Sequence, residues 1–265
     1  MFIASFRLKT SIQRWLFTLQ DFLDFARLHP AREMKRIALE ETVQYARTHM
    51  RNAVGMESAR EVLAMALQEV SVQGHYLEFG VYKGGTIRFI AQNVGSSQVV
   101  HGFDSFKGLD QAWSGDPSRF DLGGRSPKVP RNVILHKGLF ADTLPGWLKK
   151  NSGPAAFIHI DSDLYQSAKC VLDLLQGRIV PGTIIVFDEY FNYPNWQEHQ
   201  FKAFQELVER CQIQYAYLAY ARFQTALRIS AISWEDSARE ANAHIGALNG
   251  GASSSKDGVI EGRTP

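Results

Sequence analysis

Six acidic residues of this chain fall where short apolar runs stop, and their side chains could carry chemistry. They are Glu78, Asp104, Asp161, Asp163, Asp188 and Glu189. Two carboxylates about 4 Å apart repel by roughly 4 kcal/mol at an effective dielectric constant of 20, so clustered acids either hold protons at raised pKa or bind a cation. An all-oxygen set without His or Cys suits a hard ion such as Mg²⁺ or Ca²⁺ better than zinc.

The stretch LEFGVYKGGTIR (77–88) could bind an anionic group. Glu78 ends an apolar run, Gly80 allows a tight turn, and Gly84–Gly85 permit close approach of the backbone to a ligand before a helix begins near Thr86. Free N–H groups at a helix N-terminus favour anions. A plain tight turn is the alternative. The glycine spacing departs from G-x-G-x-x-G, which disfavours a nicotinamide or flavin cofactor.

Two of the acids have both a structural and a functional interpretation. Asp104 ends the second apolar run, where an acid can accept both ribose hydroxyls of an adenosine group; the alternative is a surface turn. Asp163 could act in catalysis, or it could cap a helix that starts at Leu164, with Gln166 completing a capping-box-like pair. The two roles of Asp163 are compatible.

The elements that must position these residues follow from the apolar runs. Five runs read as buried strands: 75–80, 98–104, 132–138, 155–161 and 182–189. Helical stretches at Thr86–Asn93 and Leu164–Leu175 lie between them, and two further runs at 212–220 and 222–229 predict a hairpin. Strands alternating with helices indicate βαβ units. We therefore predict an α/β fold with a doubly wound seven-stranded sheet, mostly parallel, with a C-terminal antiparallel hairpin.

The sequence predicts three regions. Residues 1–70 read as a helical extension that caps the protein or mediates self-association, with helices near 15–26, at about 31–48 and after Ser58. Residues 71–235 form the α/β domain. Residues 236–265 are rich in Gly, Ser and charge and are expected to be a flexible tail.

Composition excludes several classes of protein. The chain has 265 residues, 45% of them hydrophobic, and a formal net charge of +2, which gives no footprint for nucleic-acid binding. No run approaches the roughly 20 apolar residues of a membrane span, and no signal-peptide core is present.

Two cysteines, Cys170 and Cys211, make no disulfide framework and are interpreted as packing residues. A cytoplasmic protein is expected.

Taken together, the motifs resemble class I S-adenosylmethionine-dependent methyltransferases. LEFGVYKGGTIR looks like the first motif of metal-dependent catechol-type O-methyltransferases, and the set GFDSFKGL, KGLFADTLP, HIDSDLYQS and VFDEY resembles the TylF/MycF (macrocin-type) family over roughly residues 50–230. The resemblance implies a Rossmann-like fold and the following roles. The methionine part of the cofactor would be surrounded by Glu78, Gly80, Tyr82 and Thr86; the ribose would be held by Asp104 with Ser105 beside it; a divalent ion, usually Mg²⁺, would be ligated by Asp161, Asp188 and Glu189; and the general base would be Asp163.

Two departures from the pattern bear on mechanism. Many relatives have Asp or Asn where this chain has Glu189, whose longer side chain could bind an ion differently. Catechol-type enzymes place a lysine where this chain has Leu164, which leaves Asp163 as the better proton acceptor. Because two adjacent oxygens would chelate a metal best, we predict a vicinal diol of a sugar or small molecule as acceptor.

The segment 190–204 follows the fifth strand and should border the acceptor. Tyr190, Tyr193 and Trp196 could stack on a ring and His199 could donate a hydrogen bond; alternatively, the aromatics belong to the core and His199 is solvated. Two other functions compete with methyl transfer. The chain could be a binding module that keeps the cofactor fold without turnover, or a nicotinamide-dependent oxidoreductase on a similar sheet.

Overall fold

The structure is a computed structural model that describes residues 29–108 and 120–233. Its helices are α1 (Pro30–His49), α2 (Ala59–Gln68), α3 (Gly85–Asn93), α4 (Phe140–Lys150), α5 (Tyr165–Leu175) and α6 (Gln200–Cys211). Its strands are β1 (Val54–Gly55), β2 (His75–Phe79), β3 (Val100–Asp104), β4 (Val133–Lys137), β5 (Ala155–Ile160), β6 (Ile184–Phe187), β7 (Gln214–Tyr220) and β8 (Thr225–Ala231).

The strands form one sheet in the order β1-β7-β8-β6-β5-β2-β3-β4. Neighbours from β6 to β4 are parallel, whereas β8 pairs antiparallel with both β6 and β7. The predicted fold class is therefore confirmed. The sheet has eight strands rather than seven, because the two-residue strand β1 pairs in parallel with β7 and extends that edge. Two residues are too short a run for a periodic pattern to reveal.

Burial on both faces explains why the central strands are continuously apolar. All six residues of β5 and all four of β6 are buried. One face carries a core with residues of α2 and α3, such as Val62, Ile87 and Ile90. The opposite face packs against α1, α4, α5 and α6. Helices on both faces of a parallel sheet are what such strands require.

The two described N-terminal helices pack on this sheet. The helix predicted at 31–48 is α1, and the one predicted after Ser58 is α2, where Ser58 and Glu61 form a capping box. Tyr45 of α1 contacts Trp196 and Phe201 by ring edges, and α2 lies against β6, β7 and β8. The helix predicted near 15–26 and the tail 236–265 lie outside the described residues. The division of the chain at residue 70 stays a prediction.

The order of the strands reverses between β2 and β5. From β2 the chain proceeds outward through β3 and β4, and from β5 it proceeds the other way through β6. In open α/β sheets, ligands bind outside the carboxyl ends of the strands at such a switch point. Within the described residues, no helix is both long and apolar enough to cross a bilayer.

Candidate active site at the carboxyl ends of the strands

A cavity of about 360 Å³ opens at the switch point. It lies at the carboxyl ends of β2, β3, β4 and β5. Its walls include six residues that the sequence singled out, namely Gly80, Tyr82, Asp104, Ser105, Asp161 and Asp163. This volume is in the range of small-molecule and cofactor pockets. The structure therefore brings residues from three separate strand ends to one concave surface.

Gly80 is required where β2 and β5 end side by side. Its φ is +94°, and a Cβ placed on it would lie 1.7 Å from the carbonyl oxygen of Asp161. The Asp161 amide donates to the Phe79 carbonyl at 2.8 Å, and the Asp188 amide donates to the Ile160 carbonyl at 3.0 Å. These backbone bonds bring the ends of β2, β5 and β6 together. The predicted turn at Gly80 thus sets the separation of the cavity walls.

Asp104 clamps the turn that follows β2. Its Oδ2 accepts the backbone N–H groups of Val81 at 2.8 Å and Tyr82 at 2.7 Å, and its Oδ1 accepts that of Phe106 at 2.7 Å. A carboxylate has about four acceptor positions, so three backbone donors still leave capacity for a ligand hydroxyl. Asp104 lines the cavity, and its predicted ribose contact stays a prediction.

Glu78 and Thr86 do not line the cavity. Glu78 is completely buried between β2 and β5, and its Oε1 accepts a hydrogen bond from the Thr86 hydroxyl and lies 3.3 Å from His159 Nδ1. Its Oε2 is buried without a hydrogen-bond partner. Burial raises the pKa of Glu78, whereas for His159 the opposing contact with Glu78 outweighs burial and raises the pKa to about 9. The pair therefore retains at least one proton at neutral pH.

The four carboxylates predicted to converge do influence one another. Burial and the Asp188 carboxylate raise the pKa of Asp161 well above its ordinary value. Burial and a hydrogen bond with Asp163 raise the pKa of Glu189 to about 9. Asp188 and Glu189 do not line the cavity, and they follow the end of β6 directly. This end of the site is a crowded acidic cluster.

The cluster has the donor chemistry for a hard divalent cation. All four groups are carboxylates, and Glu189 Oε2 is buried with no hydrogen-bond partner. A bound cation would relieve the mutual repulsion that raises these pKa values. The ligand arrangement is less complete, because no group of three or more His, Cys, Asp or Glu side chains among residues 29–108 and 120–233 is placed to hold a metal. Metal ligation by Asp161, Asp188 and Glu189 stays a prediction.

Asp163 is not the N-cap residue of the helix that follows it. Helix α5 begins at Tyr165 and its N-cap residue is Leu164, whose side chain makes no capping hydrogen bond. Asp163 instead has a left-handed backbone with φ of +52°, and it is buried against the cavity and hydrogen-bonded to Glu189. Left-handed geometry is tolerated by Asp but takes it out of the N-cap conformation, which is extended.

Several cavity residues were not among the predicted site residues. Gly138, Phe140 and Ala141 follow β4, and Ser167 and Cys170 project from α5. The stretch KGLFA (137–141) could have been identified from the sequence, because it follows the carboxyl end of a predicted strand and ligands bind at such ends. Ser167 and Cys170 carry no local signal, because a helix face is assigned to a site only once packing is known. Cys170 is thus a half-buried wall residue of the cavity, whereas Cys211 is a core residue as predicted.

The aromatic residues predicted to meet the acceptor divide into two groups. Tyr190 and Trp196 are at most 2% exposed and belong to the core, which confirms the packing alternative for them. Tyr193 is half-buried beside the acidic cluster, and its hydroxyl donates to the Glu189 carbonyl at 3.1 Å. His199 is half-buried and tilted against Tyr193, with ring centroids 5.6 Å apart. Tyr193 is the ring of this set that remains partly open beside the carboxylates.

Comparison with known proteins identifies the part of the chain that builds this site. A family model described as a methyltransferase domain matches residues 77–190. The matched stretch runs from β2 through the residues that follow β6, and it contains all ten residues predicted to contact the cofactor, ligate the metal or act as the base. Residues 77–190 are therefore similar to a methyltransferase domain.

A related protein of Streptomyces olivaceus is named 8-demethyl-8-(2,3-dimethoxy-alpha-L-rhamnosyl)-tetracenomycin-C 4'-O-methyltransferase. The two sequences are 28% identical over 150 residues, which cover 45% of this chain and 54% of the relative. The chain thus spans about half the length of that relative.

Two solved structures share the fold. The O-methyltransferase NovP superposes with a TM-score of 0.52 at 21% identity, covering 64% of this chain and 79% of NovP. The calicheamicin methyltransferase CalS11 superposes with a TM-score of 0.51 at 21% identity, covering 80% of this chain and 91% of CalS11. At this level of identity the likeness establishes the fold.

Proposed function

We propose that this chain is an S-adenosylmethionine-dependent O-methyltransferase that acts on a vicinal diol of a sugar or other small molecule and uses a divalent cation such as Mg²⁺. The observation that carries the proposal is the coincidence of the cavity with the matched domain. Gly80, Asp104, Asp161 and Asp163 all line the cavity and all lie within residues 77–190.

The residues present fit S-adenosylmethionine. The cavity combines a glycine turn, an acid at the end of β3 and apolar walls from Leu139 and Phe140. The acidic side chains of Asp104, Asp161 and Asp163 line its interior, which favours a cationic ligand. When bound, S-adenosylmethionine supplies an electrophilic methyl group on a sulfonium. The TylF/MycF subfamily suggested by the motifs is part of this proposal.

Glu78 and Thr86 support the cofactor from behind in this proposal. Their side chains are hydrogen-bonded to each other outside the cavity, and Thr86 is the second residue of α3. The bond ties the end of β2 to the first turn of the helix. Gly80 and Tyr82, which do line the cavity, would make the direct contacts with the methionine part.

In this proposal, the acceptor and the transfer of its proton lie at the acidic end of the cavity. Asp163 lines the cavity and would accept the proton of the acceptor hydroxyl. The acceptor oxygen would take the methyl group as the S–CH₃ bond of the sulfonium breaks, with the bonding electron pair left on sulfur as a neutral thioether. Asp161, Asp188 and Glu189 would hold the cation, which lowers the pKa of an oxygen bound to it. With Leu164 beside Asp163, no lysine is available at that position.

A sugar hydroxyl is the acceptor best supported by the comparisons. The relative from S. olivaceus carries a rhamnosyl group in the name of its substrate. A sugar presents adjacent hydroxyls, which suits a site with several carboxylates at one end. A cytoplasmic location and self-association through the N-terminal helices stay predictions.

A transfer assay with acceptors that differ by one hydroxyl tests the proposal. The enzyme is incubated with methyl-labelled S-adenosylmethionine, Mg²⁺ and either methyl α-L-rhamnopyranoside or catechol, with phenol as the matched acceptor that lacks the second hydroxyl. We expect labelled product from a diol, little from phenol, and loss of product in EDTA. Equal turnover in EDTA would remove the metal from the proposal.

Substitution of the base separates catalysis from binding. Asp163→Asn should lower kcat by about 10²–10⁴-fold while S-adenosylhomocysteine still binds. Asp142→Asn, an exposed acid on α4, is the matched control and should retain full turnover. Cofactor binding without turnover on any diol would favour the non-catalytic module, and NADH binding would favour the oxidoreductase.

A further inference from the structure

Residues 190–199, the part of the connection between β6 and α6 that follows Glu189, have an irregular backbone. Asn192 and Asn195 have left-handed backbones with φ of +67° and +63°. One side of the segment is held by the loop between β7 and β8, where the Tyr190 amide donates to the Phe223 carbonyl at 2.9 Å and Asn192 Nδ2 donates to the Arg222 carbonyl at 2.8 Å. The segment follows Glu189 directly.

Helix α1 holds the other side of the segment. Gln197 Nε2 donates to Glu41 Oε2 at 2.9 Å, and the Tyr45 ring meets the Trp196 ring edge-on with centroids 5.6 Å apart. Trp196 is 2% exposed and Gln197 follows it in a short 3₁₀ turn. A helix far away in sequence therefore contacts the middle of the segment.

A chain of tyrosine hydroxyls extends this contact to the residue next to Glu189. The Tyr45 and Tyr217 hydroxyl oxygens are 2.7 Å apart, and those of Tyr217 and Tyr190 are 2.8 Å apart. Gln205 Nε2 donates to the Tyr190 hydroxyl at 3.2 Å. Tyr190 is fully buried and Tyr217 is 8% exposed, so these bonds lie largely out of water. Buried hydrogen bonds in series fix the groups they join, because an unmade bond there costs more than one at the surface.

We infer that α1 is part of the active-site architecture, and that Tyr45 is a positioning residue that acts through Tyr217 and Tyr190 on the segment beside Glu189. This inference rests on the proposed function, because it takes residues 190–199 as the border of the acceptor site. Tyr45 touches neither the cavity nor a carboxylate of the cluster. Its hydroxyl determines how firmly the segment is held, and the cofactor end of the site is independent of it.

Hydrogen exchange of the full-length protein tests the inference with Tyr45→Phe, which removes one oxygen and keeps the ring. We expect amides in 189–199 to exchange about tenfold faster, a factor equivalent to about 1.4 kcal/mol. Peptides of β2 and β5 should be unchanged. Tyr76→Phe is the matched control, since Tyr76 is a half-buried tyrosine of β2 whose ring stacks on Phe157 outside the hydroxyl chain.

A double variant separates positioning from a general loss of packing. If Tyr45 acts through the tyrosine hydroxyls, the increase in exchange of 189–199 in Tyr45→Phe combined with Tyr217→Phe should be smaller than the sum of the two single effects. The S-adenosylhomocysteine dissociation constant should be the same in Tyr45→Phe and the parent protein. Additive effects, equal exchange in Tyr45→Phe and Tyr76→Phe, or faster exchange throughout the sheet would each overturn the inference. Failure of the parent protein to bind S-adenosylhomocysteine would count against the proposed function. The hydrogen-exchange rates of 189–199 would still show whether Tyr45 holds this segment in place.

Discussion

Removing His159 should destabilise the fold strongly, because it would leave a carboxylate unpaired in the centre of the sheet. Glu78 and His159 are 0% and 2% exposed, and Glu78 Oε1 lies 3.3 Å from His159 Nδ1. Two unit charges at that distance attract by about 5 kcal/mol at an effective dielectric constant of 20. Breaking a buried pair costs about 3–5 kcal/mol in other proteins, which agrees with this value. We expect His159→Leu to lower the free energy of unfolding by about 3–5 kcal/mol.

The double variant Glu78→Leu/His159→Leu makes the reasoning specific. It removes both charges of the pair, so their desolvation cost disappears, and the Thr86 hydroxyl loses its hydrogen-bond partner at about 1–3 kcal/mol. The attraction between His159 and the Asp161 and Asp188 carboxylates is lost in both variants. The double variant should therefore be more stable than His159→Leu alone. Unfolding in urea, followed by far-UV circular dichroism at pH 7, measures all three proteins. His199→Leu, which changes a half-buried histidine outside the pair, is the control. The reasoning fails if His159→Leu lies within 1 kcal/mol of the parent or if the double variant is the least stable.

Three further predictions follow from the site and its surroundings. Asp104→Ala leaves three backbone N–H groups without their acceptor. The affinity for S-adenosylhomocysteine, measured by calorimetry, should therefore fall at least tenfold, which is about 1.4 kcal/mol or more. An unchanged affinity would show that the Asp104 hydrogen bonds do not shape the cavity. Glu189→Gln removes a group whose folded pKa of about 9 exceeds its ordinary 4.5, so the folded protein holds the extra proton and its free energy of unfolding falls as pH rises from about 4.5 to 9. Between pH 6.5 and 8.5, the variant should show a slope shallower by up to about 1.4 kcal/mol per pH unit in urea titrations, and parallel slopes would contradict this. Burial and the neighbouring His136 and His75 lower the pKa of His101 to about 4. The unfolded chain therefore binds more protons than the folded protein between pH 4 and 6.5, and the free energy of unfolding falls as the pH drops through that window. His101→Gln should make this fall less steep, and an unchanged pH dependence of the free energy of unfolding would refute the prediction.

The fold and the open face of the site could be predicted from the sequence because they depend on local patterns. Buried apolar runs alternating with helices determine a parallel sheet, and the carboxyl ends of such strands share one edge. That rule is enough to place Gly80, Asp104, Asp161 and Asp163 in one cavity. It fails for β1, whose two residues form a strand only because β7 offers an unpaired edge.

Contacts that depend on register or on helix packing could not be predicted. Strand order alone makes β2 and β5 neighbours, but only the observed register places Glu78 opposite His159. In the same way, Tyr45 and Tyr190 are distant in sequence, and their connection through Tyr217 requires α1 to be docked. Cys170 lines the cavity because α5 presents the face with Ser167 and Cys170 to it. These are properties of assembled elements rather than of any one segment.

Titration of the full-length protein with S-adenosylhomocysteine and, separately, with NADH tests the central claim most directly. The calorimetric experiment is performed with and without Mg²⁺, and Asp104→Ala serves as the cavity variant. We predict one saturable site for S-adenosylhomocysteine, weakened at least tenfold in Asp104→Ala, and no heat of binding with NADH. Saturable binding of NADH with no response to S-adenosylhomocysteine would contradict the assignment of this cavity to a methyl donor.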